Sequence, residues 1–207
     1  MNDIDAITPV KDVWLRPRRV FRELAARPLG TADWLLACLQ GVADYVVAGR
    51  LSPRELHPTT ELLVLESLLV GPLIGLARCA FWAFVYQRFG ARLGGKASFA
   101  AVFHVLSFGA VPRVAALILW TGVALVVGKP AFAGAPPAGT DTFVAILLCA
   151  ENIAMWLSIG WATLLQVMGL SEVFNFKLAK AFGLWALGQL LALMIYCFAV
   201  SLTGGQA

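Results

Sequence analysis

Five stretches of this chain, at about residues 30–49, 62–87, 98–127, 142–167 and 179–203, are each long and apolar enough to cross a bilayer. A crossing helix needs about 20 mostly apolar residues, and hydrocarbon offers no partner for an unpaired backbone N–H or C=O. Only helices and closed barrels therefore span it, and the two-residue alternation of barrel strands is absent here. Composition agrees: 60% of residues are hydrophobic and 14% charged, where soluble domains carry about 45–50% and about 25%. The expected fold is all-α, a polytopic integral membrane bundle of five transmembrane helices. Residues 1–28 form a cytoplasmic basic leader and 29–205 the five-helix transmembrane domain. The first span is the least hydrophobic and carries Asp33, Gln40 and Asp44.

The basic residues between spans set an orientation. Lys11, Arg16, Arg18, Arg19, Arg22 and Arg27 precede span 1, Arg88, Arg92 and Lys96 follow span 2, and Lys177 and Lys180 follow span 4. That places eleven on one side, against Arg50, Arg54 and Lys129, three in all, on the other. Basic residues are retained in the cytoplasm, so the N-terminus is expected inside and the C-terminus outside a cell membrane. The polar, proline-dotted N-terminus has no early apolar core and does not read as a cleaved signal peptide.

The leader "WLRPRRVFRELAARP" puts Val20, Phe21 and Leu24 on one side of a short amphipathic helix. Arg16, Arg18, Arg19 and Arg22 give it a basic face suited to anionic lipid headgroups at the inner leaflet. A docking helix for a partner is the alternative reading. No basic groove with interleaved aromatics exists, which excludes a nucleic-acid partner. Cys38, Cys79, Cys149 and Cys197 lie in apolar runs without CxxC spacing, so neither a disulfide framework nor a metal site is expected.

Charged groups inside spans face the bundle interior and cost about 3 kcal/mol or more. In "FHVLSFGAVPRVAALILW" (103–120), Arg113 falls ~22 Å along span 3 and Glu151 ~14 Å from the outer end of span 4, at 1.5 Å per residue. These depths coincide, and the two are expected to pair, with Asn152 as a second partner. Pro112 lacks an N–H and, with Gly109, is expected to kink the helix and free the Phe108 carbonyl for Arg113. Glu66 and Asp44 are expected toward the outer side, and Arg78 and His104 toward the inner side. His104 reads as hydrogen-bonded within the bundle, with no second histidine at ligand spacing. His57 falls in the outer loop 50–61, and 129–141 is a Pro/Gly-rich outer loop. In "GPLIG", Gly71, Pro72 and Gly75 suit close helix packing. There is no HExxH, GxSxG, P-loop or dinucleotide turn, so no enzyme and no cofactor is expected.

Four motifs carry a family resemblance: "PRRVFRELAARP" before span 1, "LGGKASF" (93–99), "LSFGAVPRV" (106–114) and "WATLLQVMGLSEVFNFKLAKAF" (161–182). In their order and spacing, over roughly 11–203, the sequence resembles the Yip1 family of membrane proteins in its compact bacterial form. The resemblance implies a multi-pass membrane domain. Eukaryotic members are implicated in vesicle trafficking and Rab GTPase interaction, with a long N-terminal region and an Asp-Leu-Tyr-Gly-Pro signature. The matching run here is "LLVGP", with Leu68 and Val70 at the acidic and aromatic positions. The leader is also short, and both departures count against the GTPase interaction.

Three functions compete. A non-enzymatic scaffold or adaptor would associate with lipids, other membrane proteins or its own copies and would seal its polar residues. A small permease would open a polar cavity to Arg113. A membrane-embedded enzyme would converge two titratable groups beside a pocket.

Overall fold

The computed structural model describes residues 9–51, 60–128 and 141–203, and no strand occurs among them. His57, Arg54, Lys129 and most of the Pro/Gly-rich outer stretch lie outside the described residues. The helices are α1 (Pro17–Ala25), α2 (Thr31–Leu51), α3 (Thr60–Leu69), α4 (Gly71–Arg92), α5 (Phe99–Gly109), α6 (Val111–Val127), α7 (Thr142–Phe174) and α8 (Leu178–Thr203). Three helical stretches are long and apolar enough to cross a membrane: Phe99–Val127, which joins α5 and α6, Thr142–Phe174 and Leu178–Phe198. The pair α3–α4, bent by 42°, makes a fourth if it counts as one span. With 21 residues, α2 has the length, but its polar residues keep it out of that group.

Both breaks fall at prolines. Pro72 sits in the first turn of α4 and Pro112 in the first turn of α6, positions where a missing N–H leaves no bond unmade. At Ala110 the bonding tightens to three-residue spacing, with Ala110 N–H donating to Ser107 O (3.2 Å) and Arg113 N–H to Ala110 O (2.9 Å). These bonds tighten the backbone on either side of the proline.

Large apolar side chains face outward along the bundle, including Leu73, Ile118, Leu125, Leu157 and Met194, each about two-thirds exposed or more. A water-soluble surface rarely tolerates apolar area this continuous, whereas lipid does. Within the bundle, Tyr86, Phe103, Phe108, Leu165, Leu170 and Leu184 are almost fully buried.

Glycine sets the closest helix contact. A Cβ on Gly41 of α2 would meet the Gly71 carbonyl and lie 2.5 Å from the Gly75 nitrogen of α4. Only hydrogen at these positions lets the two backbones touch.

At 33 residues, α7 is ~50 Å long at 1.5 Å per residue, well beyond a hydrocarbon core of about 30 Å. Its final turns receive the leader. Val20, Phe21 and Leu24 of α1 are buried, and a Cβ on Gly169 would lie 3.1 Å from the Phe21 ring and 2.6 Å from Val105. Arg22 bonds Glu172 at 2.8 Å and Arg18 approaches it at 3.8 Å. The apolar face of the leader is thus buried against its own chain. Arg18, Arg19 and Arg22 keep 60–75% of their side chains exposed. The 2.8 Å bond from Arg19 holds the Glu23 carboxyl below its usual range.

The two connections beside the leader lock together. Gly94 (φ 86°) turns the chain between α4 and α5, and Asn175 (φ 54°) ends α7 in the left-handed conformation. Phe174 stacks on Phe176 at 5.3 Å and packs on Gly90 and Gly95, where a Cβ would strike its ring. Lys180 closes the junction, donating to Leu93 O at 2.6 Å with its ammonium 4.4 Å above the Phe176 ring.

Candidate functional site

Asp44 on α2 is the hinge of the charged interior. Its Oδ1 accepts from the Arg113 guanidinium of α6, and its Oδ2 pairs with the Arg78 guanidinium of α4. One carboxylate thus ties three helices, with 15% of its side chain exposed against 23% for Arg113 and 33% for Arg78.

Arg113 forms its ion pair with Asp44, and Asp44 and Arg78, expected toward opposite faces, meet. The bounds of α2 are close to those expected, and depth counting along it already brings Asp44 level with Arg113. Measured from Thr31, Asp44 lies ~20 Å along its helix and Arg113 ~21 Å from Phe99, at 1.5 Å per residue. Asp44 thus lies about as far along α2 as Arg113 lies from Phe99. Likewise, the Arg113 side chain goes to this carboxylate, while the backbone around Pro112 is served by three-residue bonds.

Glu151 is buried on α7 and shares with Arg113 a mostly apolar cavity of about 30 Å³, which Trp120, Met155 and Ser158 also line. Asn152, its neighbour, is half-buried. Arg113 also borders a second, larger cavity of about 120 Å³. This chamber lies among α2, α4, α5, α6, α7 and α8, with Gln40, Arg78, Tyr86, Gln166 and Gln189 around it. Sequence reading named Arg78 and Arg113 but did not assemble the glutamines. Gln40 and Asp44 stand four residues apart on one face of α2, a spacing that could have pointed to them.

A second polar cluster lies toward the leader. The His104 ring on α5 sits with Nδ1 2.6 Å from Asp33 Oδ1 and Nε2 3.2 Å from the Arg27 carbonyl. Ser107 Oγ lies 3.0 Å from Asp33 Oδ1, and Gly30 N–H donates to Asp33 Oδ2 at 2.9 Å. A carbonyl can only accept, so Nε2 carries a proton there. The three residue types are those of a hydrolytic triad, but the connectivity is not. Ser107 meets the carboxylate and not the imidazole, and all three side chains are at most 3% exposed. No nucleophile–base contact opens to a pocket. The cluster instead joins the end of the leader, the start of α2 and the middle of α5.

Ser107→Ala removes a donor from a buried carboxylate, and the loss of such a partner costs about 1–3 kcal/mol. Denaturant titration in detergent should show a loss in that range. Ser107→Thr, which keeps the hydroxyl, should lose less.

Gly71 and Gly75 lie against α2, Pro72 sits between them in the first turn of α4, Gly109 lies against Gln166 of α7, and Arg16 stands just before α1. The paired inner glycines explain the packing but offer no chemistry.

The chain matches the Yip1 domain over residues 11–201. No curated protein and no solved structure matches it.

Proposed function

The chain belongs to the Yip1 family of membrane proteins, and from that membership we propose that it is a non-enzymatic scaffold or adaptor of the cell membrane. In this reading it crosses the bilayer five times, N-terminus inside and C-terminus outside, with α2 as the first span. Its partners are other membrane proteins, lipids or further copies of itself.

The observation that carries this reading is how the interior polar groups are used. Asp44, Arg78 and Arg113 cross-link three helices, and Asp33, His104 and Ser107 are sealed and bonded among themselves. Such groups rigidify a bundle. Meanwhile the leader presents a fixed face of exposed arginines beside the end of α7, an arrangement suited to a surface contact.

A photo-crosslinking residue at Arg19, on that exposed face, provides the test. In native membranes it should yield a few discrete protein adducts of fixed stoichiometry. The purified protein in liposomes should move no solute. The chamber at Arg113 favours a second reading, a small permease. Protein-dependent uptake of radiolabelled phosphate, abolished by a chamber substitution, would replace the scaffold reading with that one.

A further inference from the structure

The chamber has an unusual balance of charge. Its wall contains two guanidinium groups, Arg78 and Arg113, together with Gln40, Gln166, Gln189 and Tyr86, and no carboxylate. Asp44 pairs with both arginines, yet each guanidinium has five N–H donors and a carboxylate oxygen saturates few of them. The glutamines add donors. Trp185 Nε1 stands 3.3 Å from the amide oxygen of Gln166. An indole N–H only donates, so the atom facing it is the oxygen. With that oxygen engaged, the NH₂ is the principal group Gln166 has left to offer.

A pocket of about 120 Å³ holds several waters or one small polyatomic group, since a single water needs about 10–15 Å³ on this measure. Arg78 and Arg113 are a third and a quarter exposed, so the site is reachable from outside the bundle. Forked donors in a wall of amide and phenol groups that holds no carboxylate suit a tetrahedral oxyanion better than a cation.

We propose that this chamber binds a phosphate-type anion, coordinated by Arg78 and Arg113 and by the amides of Gln166 and Gln189, with Asp44 fixing the arginines from behind. Two sources share that chemistry, a free anion and the headgroup of an anionic phospholipid. The site does not depend on the scaffold reading, because a scaffold can hold a structural anion. Binding without solute flux leaves both standing, and absence of binding removes only this one.

The test uses the full chain with Arg18→Gln and Arg22→Gln, which removes the leader's own attraction for anions. In nanodiscs of neutral lipid, inorganic phosphate is titrated against chloride of equal ionic strength, and the apparent Tm is followed. A bound ligand raises it by mass action. In parallel, native mass spectrometry asks whether protein from phosphatidylglycerol nanodiscs keeps one such lipid per chain. A phosphate-specific rise identifies a free anion, and a retained lipid without that rise identifies a headgroup. Either signal should weaken about tenfold or more in Gln166→Leu with Gln189→Leu, given the worth of hydrogen bonds to a charged group. Arg78→Lys, which keeps the charge but loses the fork, should weaken it too and serves if the double variant does not fold. Neither signal, or a signal that survives both sets of substitutions, overturns the proposal and leaves a water-filled chamber.

Discussion

Asp44→Leu should destabilise the protein by about 3–5 kcal/mol, the cost of stripping one partner from a buried ion pair. Two guanidinium groups share this carboxylate, so its loss leaves two uncompensated charges close together inside the bundle. Partial exposure of Arg78 and Arg113 lets water or headgroups recover some of that cost and places the effect toward the lower end. Denaturant unfolding of the purified protein in detergent measures it. The diagnostic step is the triple variant Asp44→Leu, Arg78→Leu, Arg113→Leu. Replacing a whole buried ionic group with apolar residues is often neutral or stabilising, so the triple variant should recover most of the loss. Asp44→Leu with wild-type stability would mean that the carboxylate does not hold these arginines in the membrane.

That triad marks the boundary of what the sequence made legible. The all-helical membrane fold could be read off because Phe99–Val127, Thr142–Phe174 and Leu178–Phe198 are long apolar runs, the one pattern a membrane imposes regardless of neighbours. By contrast α2, with Asp33, Gln40 and Asp44, is not such a run. Pro72 and Pro112 likewise mark the two breaks, since a missing N–H is a local property. Partner choice is not local. Depth counting paired Arg113 with Glu151, and Glu151 does border a cavity with Arg113. But depth fixes one coordinate, and rotation about each helix axis is what brings Asp44 to Arg113 and Arg78. For the leader, periodicity marked Val20, Phe21 and Leu24 as one apolar face. It could not show that the overhanging end of α7, with Gly169 opened for Phe21, takes that face before lipid can. The Asp33–His104–Ser107 cluster joins residues 71 and 74 positions apart, and no spacing rule reaches that far.

Rotation about α2 is set by its glycine, and Gly41→Leu is expected to be the most damaging uncharged substitution in the chain. A Cβ there would strike the Gly71 carbonyl and the backbone of Gly75, 2.5 Å from its nitrogen and 2.6 Å from its Cα. Overpacking costs about 1–3 kcal/mol when side chains can yield, and more when they cannot. Here the obstacles are main-chain atoms, so α2 must move away from α4 as a body. Because α2 carries Gln40 and Asp44 while α4 carries Arg78, that separation pulls apart the ion pairs and the chamber together. The expected result is a loss of at least about 3 kcal/mol, or failure to recover folded monomer. Gly160→Leu is the matched control, since a Cβ at Gly160 meets nothing within 4 Å, and surface changes of that kind stay within about 0.5 kcal/mol. The two large effects are separable by rescue. Removing the charges with Arg78→Leu and Arg113→Leu should restore Asp44→Leu but not Gly41→Leu, because the first defect is electrostatic and the second is steric. Equal rescue of both would show that the Gly41→Leu defect also comes from charges left unpaired inside the bundle and not from the steric contact.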